Sequence, residues 1–143
     1  SDLEEMRAAV EGVRQAAPDA PIFATMSFDS GGRTMMGVRP EQAAELLASL
    51  GVTALGANCG REVAETAAAV RAMCAVAPHI PAIIKPNAGL PRMEGGQPVY
   101  DMTPQALAAY APQWAAEGFR IIGGCCGTTP DHIRAIAQVF GVR

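Results

Sequence analysis

The chain has 143 residues, half of them apolar and few aromatic, and a formal net charge of −3. That length suits one domain with a core of Ala, Val, Ile and Leu. The mild acidity gives no attractive field for nucleic acid or a membrane surface, and no apolar run reaches bilayer length. Ser1 to Glu5 lacks the charged-then-apolar pattern of a signal peptide, so a cytoplasmic address is expected.

Ser1 to Glu4 spells a Ser-x-x-Glu capping box. Leu3, Met6, Ala9, Val10 and Val13 follow at helical spacing. Pro18 to Pro21 ends that helix, and Ile22 to Phe28 reads as a strand leading into the loop Asp29 to Thr34. Pro40 fits a first helical turn, Ala43, Ala44, Leu46, Leu47 and Leu50 form its buried side, and Gly51 closes it. Val52 to Cys59 is the second predicted strand, with the cysteine at its C-terminal end. A helix over Glu62 to Val76 places Val63, Ala67, Val70 and Cys74 on one face, which assigns Cys74 to the core.

Ala82 to Lys85 is the third predicted strand, followed by Pro86-Asn87-Ala88-Gly89. Leu90 to Met102 is long and rich in Gly and Pro, and it reads as a binding loop carrying Arg92 and Tyr100. Thr103-Pro104 starts a helix bearing Leu107, Tyr110, Ala111 and Trp114, which Pro112 should kink. Phe119 to Gly124 is the fourth strand. Thr129-Pro130-Asp131 starts the last helix, with Ile133, Ile136, Ala137 and Phe140 expected to face inward and His132 read as a helix-face residue and not a ligand. Lys85, charged within an apolar strand, calls for a carboxylate partner. The methionines, Met35 and Met36 included, are read as packing material.

One helix followed by four strand–helix units predicts an α/β fold with four parallel strands alternating with helices. A full (β/α)8 TIM barrel takes about 250 residues, so residues 1–143 are read as a partial barrel, its C-terminal half. The first half is then absent from this chain, and it or a second chain is expected to cover the two sheet edges. Cys59, Asn87, Cys125 and Cys126 all fall at C-terminal strand ends, where α/β proteins place their sites.

Cys59, Cys125 and Cys126 offer three soft ligands. Three protein ligands with one open position is the form of a catalytic zinc site, whereas structural zinc is normally closed by four. Neighbouring residues of an extended strand point to opposite faces, so Cys125 and Cys126 can share one ion only if the backbone bends; Gly123, Gly124 and Gly127 permit that. Three thiolates leave a zinc site electron-rich, which suits a sulfur nucleophile attacking a methyl group better than the acidification of water. Other readings of the same residues remain: a non-catalytic zinc-binding or interaction module, a vicinal-dithiol redox protein, or simply buried thiols.

Gly-Ala-Asn-Cys (56–59), Pro-Asn-Ala-Gly-Leu-Pro (86–91) and Gly-Gly-Cys-Cys-Gly-Thr-Thr-Pro (123–130) together resemble the homocysteine-binding domain of homocysteine S-methyltransferases. That family includes cobalamin-dependent methionine synthase and betaine–homocysteine methyltransferase. The resemblance covers essentially the whole chain but only the second half of the family's barrel. It implies zinc held by Cys59, Cys125 and Cys126, homocysteine as the thiol substrate, and methylation of its zinc-bound thiolate to methionine, with no further catalytic residue. It also implies a place for Asn87 beside the metal and, more weakly, for Asn58 at the substrate. The loop Asp29 to Thr34 looks more like the methionine synthase branch. The donor is left open among methylfolate by way of a corrinoid, betaine and S-methylmethionine.

Overall fold

A computed structural model of the chain describes residues 2–142. Six helices and six strands follow the order α1 (Leu3–Ala16), β1 (Phe23–Met26), α2 (Pro40–Ser49), β2 (Ala54–Cys59), α3 (Val63–Val76), β3 (Ala82–Pro86), β4 (Pro91–Glu94), β5 (Gln97–Tyr100), α4 (Pro104–Ala108), α5 (Ala111–Ala116), β6 (Phe119–Ile122) and α6 (Pro130–Val139). The main sheet has the order β1-β2-β3-β6, and every pair in it is parallel. This is the C-terminal half of a (β/α)8 barrel, as the alternation of elements predicted. Strand pairs run in simple register until β6, where the pairing shifts between Ala82 and Ile83. Phe119 faces Ala82 and Ile121 faces Ile83, so Arg120 is the extra residue of a bulge.

Alternation along the strands sends Ala24, Met26, Leu55, Ala57, Ala82 and Ile84 into one core with the helices. Ala43, Ala44 and Leu47 of α2, Ala67, Val70 and Met73 of α3, and Leu107, Ala111 and Trp114 complete it. Small residues dominate at the helix–sheet contact, so backbones lie close. A separate close approach lies within the sheet: a Cβ on Gly56 would fall 1.8 Å from the carbonyl oxygen of Ile83, its register partner on β3.

Several elements differ from the sequence reading. β1, β2 and β6 are shorter than expected, β3 extends one residue further to Pro86, and β6 ends before the glycines. The segment from Leu90 to Met102 is not plain loop, because β4 and β5 pair as an antiparallel hairpin around Gly95 and Gly96, both at positive φ. The single helix expected after Thr103 is two, broken at Tyr110; Pro112 sits in the first turn of α5, where its missing N–H costs nothing. Ser1 lies outside the described residues, so its capping box is not described; Asp2 caps α1 and accepts from the Glu4 amide.

On α6 the expected inward face is only partly right. Ile136 is buried, but Ile133 and Phe140 are exposed and line an apolar groove of about 390 Å3 with Phe119, Ile122 and Ala137. His132, read as a helix-face residue, is buried. Met35 and Met36 are largely exposed and pack nothing. Cys74 is half-buried against the core, where burial raises its pKa. Lys85 forms no ion pair among the described residues; it lies opposite Asn58 in the β2–β3 register, with its stem near Gly123.

The Gly56 contact generates a paired prediction. Gly56→Ala drives a methyl into a carbonyl and should lose about 3 kcal/mol or more of stability. Gly12→Ala, on exposed α1 with nothing within 4 Å of the new methyl, should gain roughly 0.5–1 kcal/mol. Urea unfolding of the two variants measures both.

Candidate metal centre

Two strand ends build the site. β2 ends in Cys59, whose φ of 60° is the one positive value on a non-glycine among the described residues. An L-residue held there is strained by about 1–2 kcal/mol. Gly60 follows at φ 84°. The Cys59 carbonyl accepts a 2.6 Å hydrogen bond from the buried Thr66 hydroxyl on α3, which holds this turn in place. A Cβ on Gly60 would lie 2.3 Å from that hydroxyl, so the turn has no room for another residue type.

The second element is the loop after β6. It keeps parallel pairing with the end of β3 beyond the strand: Gly123 N–H donates to Ile84 O, and Cys125 N–H to Pro86 O. The direction then changes, and the Cys126 carbonyl accepts from Ala88 N–H. Thr128 N–H closes a turn onto the Cys125 carbonyl. The bend expected from the glycines thus lies at the cysteines themselves and at Gly127, φ 76°.

Asn87 ties the two elements together. Its Nδ2 donates to the Gly60 carbonyl at 2.9 Å, and its Oδ1 accepts from Cys126 N–H at 3.0 Å. Both ends of the amide are thereby engaged with the cysteine loops. Asn58 is engaged as well, donating to Ser27 Oγ at 3.0 Å and lying 3.1 Å from Cys59 Sγ.

The three sulfurs of Cys59, Cys125 and Cys126 all lie within 4.8 Å of one another. All three cysteines are free thiols, with Cys126 exposed and the others partly buried. Cys59 Sγ and Cys125 Sγ are 3.0 Å apart, a hydrogen bond in which either sulfur can be the donor. Burial works against ionisation of Cys59, but bonds from Cys125, Asn58, Ser27 and Cys126 outweigh it and hold its pKa below the ordinary thiol value. Burial and the adjoining Cys59 push Cys125 up to about 11. Cys59 is therefore the more acidic thiol of the pair and Cys125 the less acidic. Desolvation and then Cys126, with Cys125 and Cys59 behind it, raise the pKa of Tyr100.

This donor set fits a thiophilic cation. A tetrahedral ion with bonds of about 2.3 Å spaces its sulfurs roughly 3.8 Å apart, so the Cys59–Cys125 pair has only to open by about 0.8 Å once its proton leaves. A cleft of about 490 Å3, lined by Gly124, Cys125, Thr128, Thr129, Pro130 and Ile133, opens beside Cys125. Thr128 Oγ1 is buried there without a partner among the described residues.

Sequence reading found the three cysteines and Asn87, and the structure brings all four together. It missed the roles of Ser27, Thr66 and His132. His132 is the third residue of α6; its Nδ1 accepts from Thr129 N–H and its Nε2 bonds the Met102 carbonyl. The Thr-x-x-His spacing after Cys126 resembles a capping box with His in the Glu position, a signal that was available.

The fold and site together define a parallel α/β half-barrel with a trio of thiols at its strand ends. Residues 1–140 match the sequence profile of the family described as Homocysteine S-methyltransferase, and the chain belongs to that family. It is 37% identical over 141 residues to methionine synthases of Mycobacterium leprae (strain TN) and Mycobacterium tuberculosis (strain ATCC 25618 / H37Rv). The match covers 95% of this chain but 12% of those proteins. Among solved structures it resembles the Escherichia coli homocysteine methyltransferase MmuM, apo form, at 31% identity and TM-score 0.73, covering 96% of this chain and 46% of that one. The metallated form of MmuM gives 31% identity and TM-score 0.74, with 42% of that chain covered. The chain therefore spans less than half the length of these relatives.

The split between Cys59 and Cys125 predicts their reactivity. At neutral pH in the absence of metal, iodoacetamide should modify Cys59 faster than Cys125, because only the thiolate reacts. The gap should narrow as pH rises toward the Cys125 value of about 11. Peptide mapping by mass spectrometry follows both sites.

Proposed function

We propose that this chain is the thiol-binding half of a homocysteine S-methyltransferase and that Cys59, Cys125 and Cys126 hold its zinc. The observation that carries the reading is the convergence of three sulfurs from two strand ends beside an open cleft. When bound, zinc supplies the positive charge that lets an outside thiol lose its proton near neutral pH and remain a sulfur nucleophile.

The chain's own residues supply the frame. Thr66 holds the turn at Cys59, and Asn87 locks that turn to the Cys126 amide. Asn87 acts as this brace, since both its polar atoms are engaged. Asn58 donates to Cys59 Sγ and orients it, and in this reading it is a further contact for the substrate. Thr128, with its hydroxyl oxygen unpartnered, lines the cleft and suits the polar end of an amino-acid substrate. The homocysteine sulfur forms a bond to the methyl carbon, the methyl–donor bond breaks, and its electron pair leaves with the donor. The product is methionine. Methylfolate by way of a corrinoid, betaine and S-methylmethionine all meet that description of a donor.

The remaining half of the barrel completes the fold in this reading. β1 and β6 are the outer strands of the sheet, Phe23 is exposed on β1, and the groove of Ile133 and Phe140 borders β6. Strands of a first half, from the same protein or a second chain, would cover both edges and bring the acidic groups that the substrate ammonium requires. The protein works in the cytoplasm in this reading; among the described residues no helix is long and apolar enough to cross a membrane.

The full-length protein should bind one zinc and transfer labelled methyl to homocysteine, and Cys125→Ser should abolish both. Transfer that survives Cys125→Ser contradicts the proposal. Chelation should expose three more titratable thiols; a dithiol redox protein would show no such dependence on metal. Zinc uptake should release the Cys125 proton, so affinity falls as pH falls. Asn87→Ala, which frees the two loops from each other, should weaken zinc by about 10–100-fold in a chelator competition.

A further inference from the structure

The β4–β5 hairpin forms a two-stranded sheet of its own, apart from the main sheet. Most of it is exposed, but its last two residues, Val99 and Tyr100, turn inward. The Tyr100 ring lies on the backbone of the cysteine loop: a Cβ on Gly127 would sit 2.2 Å from Tyr100 Cγ. The end of the hairpin thus covers this loop, and hydrogen bonds at the hairpin's root hold it there. Ala88 N–H donates to the Cys126 carbonyl at 2.9 Å, and Met102 N–H donates to the Ala88 carbonyl at 3.2 Å. The Met102 carbonyl lies 2.9 Å from His132 Nε2. His132 Nδ1 in turn accepts from Thr129 N–H at 3.1 Å.

These bonds close a circuit, because Thr129 leads back along the chain to Cys126. The links through Ala88 and Met102 join backbone to backbone. The remaining two belong to one side chain, His132, which is only 6% exposed. A ring nitrogen that accepts from an N–H carries no proton, so the proton of the neutral imidazole is on Nε2 and is donated to the Met102 carbonyl. In a capping box the third helical residue is Glu or Gln, and its task ends with accepting from the cap amide. An imidazole accepts at one end and donates at the other. The donation to Met102 exceeds what starting α6 requires, and it ties that helix to the segment over the cysteines.

We propose that His132 is a positioning residue of the cysteine centre: by donating to the Met102 carbonyl it clamps Ala88 against the cysteine loop and holds Cys126 ready to share a thiophilic cation with Cys59 and Cys125. It acts through Met102 and Ala88 and not on a sulfur. Cys126 is the exposed member of the trio, so packing does least to fix it. Its backbone is held from two sides instead, the N–H by Asn87 Oδ1 and the carbonyl by Ala88 N–H. Ala88 is itself secured through Met102, and Met102 through His132. A ligand that is already in place when the ion arrives loses less conformational freedom on binding. Removing such an outer support weakens a metal site.

This inference rests on the metal reading above, and a substitution series in the full-length protein separates the two. His132→Gln keeps an acceptor for Thr129 N–H and a donor for Met102. His132→Glu keeps the cap of α6 but has no proton for Met102. In the metal-free protein, hydrogen exchange followed by mass spectrometry should show the Ala88 and Met102 amides of His132→Glu exchanging about 5-fold faster than in the wild type, with the amides of α6 unchanged. Chelator competition should show Zn2+ held about 10-fold more weakly by the same variant. His132→Gln should match the wild type in both measurements. A His132→Glu variant that matches the wild type in either one overturns the clamp, and so does a His132→Gln variant that falls with His132→Glu. A wild-type protein that binds no Zn2+ overturns the metal reading, and the positioning role with it. Should His132→Glu fail to fold, His132→Met removes the same donor without adding charge. Ala88 and Met102 amides as protected in that variant as in the wild type overturn the proposal.

Discussion

Cys59 and Cys125 are 66 positions apart in the chain, and nothing local brings them together. What does so is the edge of a parallel sheet. β2, β3 and the extension of β6 run side by side, so their C-terminal ends arrive at one level. The middle element contributes Asn87, whose amide bonds the turn on one side and the loop on the other. A neutral amide suits this task because it offers both a donor and an acceptor. A carboxylate could accept from Cys126 N–H but could not donate to the Gly60 carbonyl, and its charge would oppose thiolates nearby.

The same convergence creates an electrostatic problem. Three sulfurs packed within 4.8 Å cannot all ionise without mutual repulsion, and burial together with the adjoining Cys59 accordingly pushes the Cys125 thiol up to about 11. A divalent cation relieves this repulsion, since one +2 charge offsets what a single proton cannot. The strained backbone at Cys59 belongs to the same arrangement. Its left-handed conformation turns the sulfur toward the other two, and Thr66 anchors the carbonyl that would otherwise drive the residue back to an extended form.

The sequence was informative where chemistry and architecture were written in consecutive residues. Alternating apolar runs and helical stripes gave the half-barrel, and the predicted strand ends already carried Cys59, Asn87, Cys125 and Cys126, the four residues that the fold brings together. What stayed hidden depends on contacts distant in sequence or on dihedral angles. The φ of Cys59 has no signature in its side chain, and the Gly60 beside it explains the turn only once Thr66 is seen to fill the space. The hairpin of β4 and β5 was masked because its strands alternate no apolar face: four of the residues in β4 are exposed. Ile133 and Phe140 fit the inward stripe of α6, yet they border the outer strand of the sheet, where no further element of the described chain lies against them.

His132 shows how a residue outside the centre becomes part of its mechanics. In the first turn of a helix, it reads from sequence as a helix-face residue and not a ligand. Its position three residues after Thr129 makes it instead the closing member of a cap, and its far nitrogen then reaches the carbonyl of Met102. One side chain thus couples the helix that follows the cysteines to the segment that covers them. The coupling is directional, because a ring nitrogen that accepts from Thr129 N–H leaves the other to donate to Met102. The geometry of the cover is consequently set by the same hydrogen bonds that start α6, and the cysteine loop between them has little freedom to move independently of either.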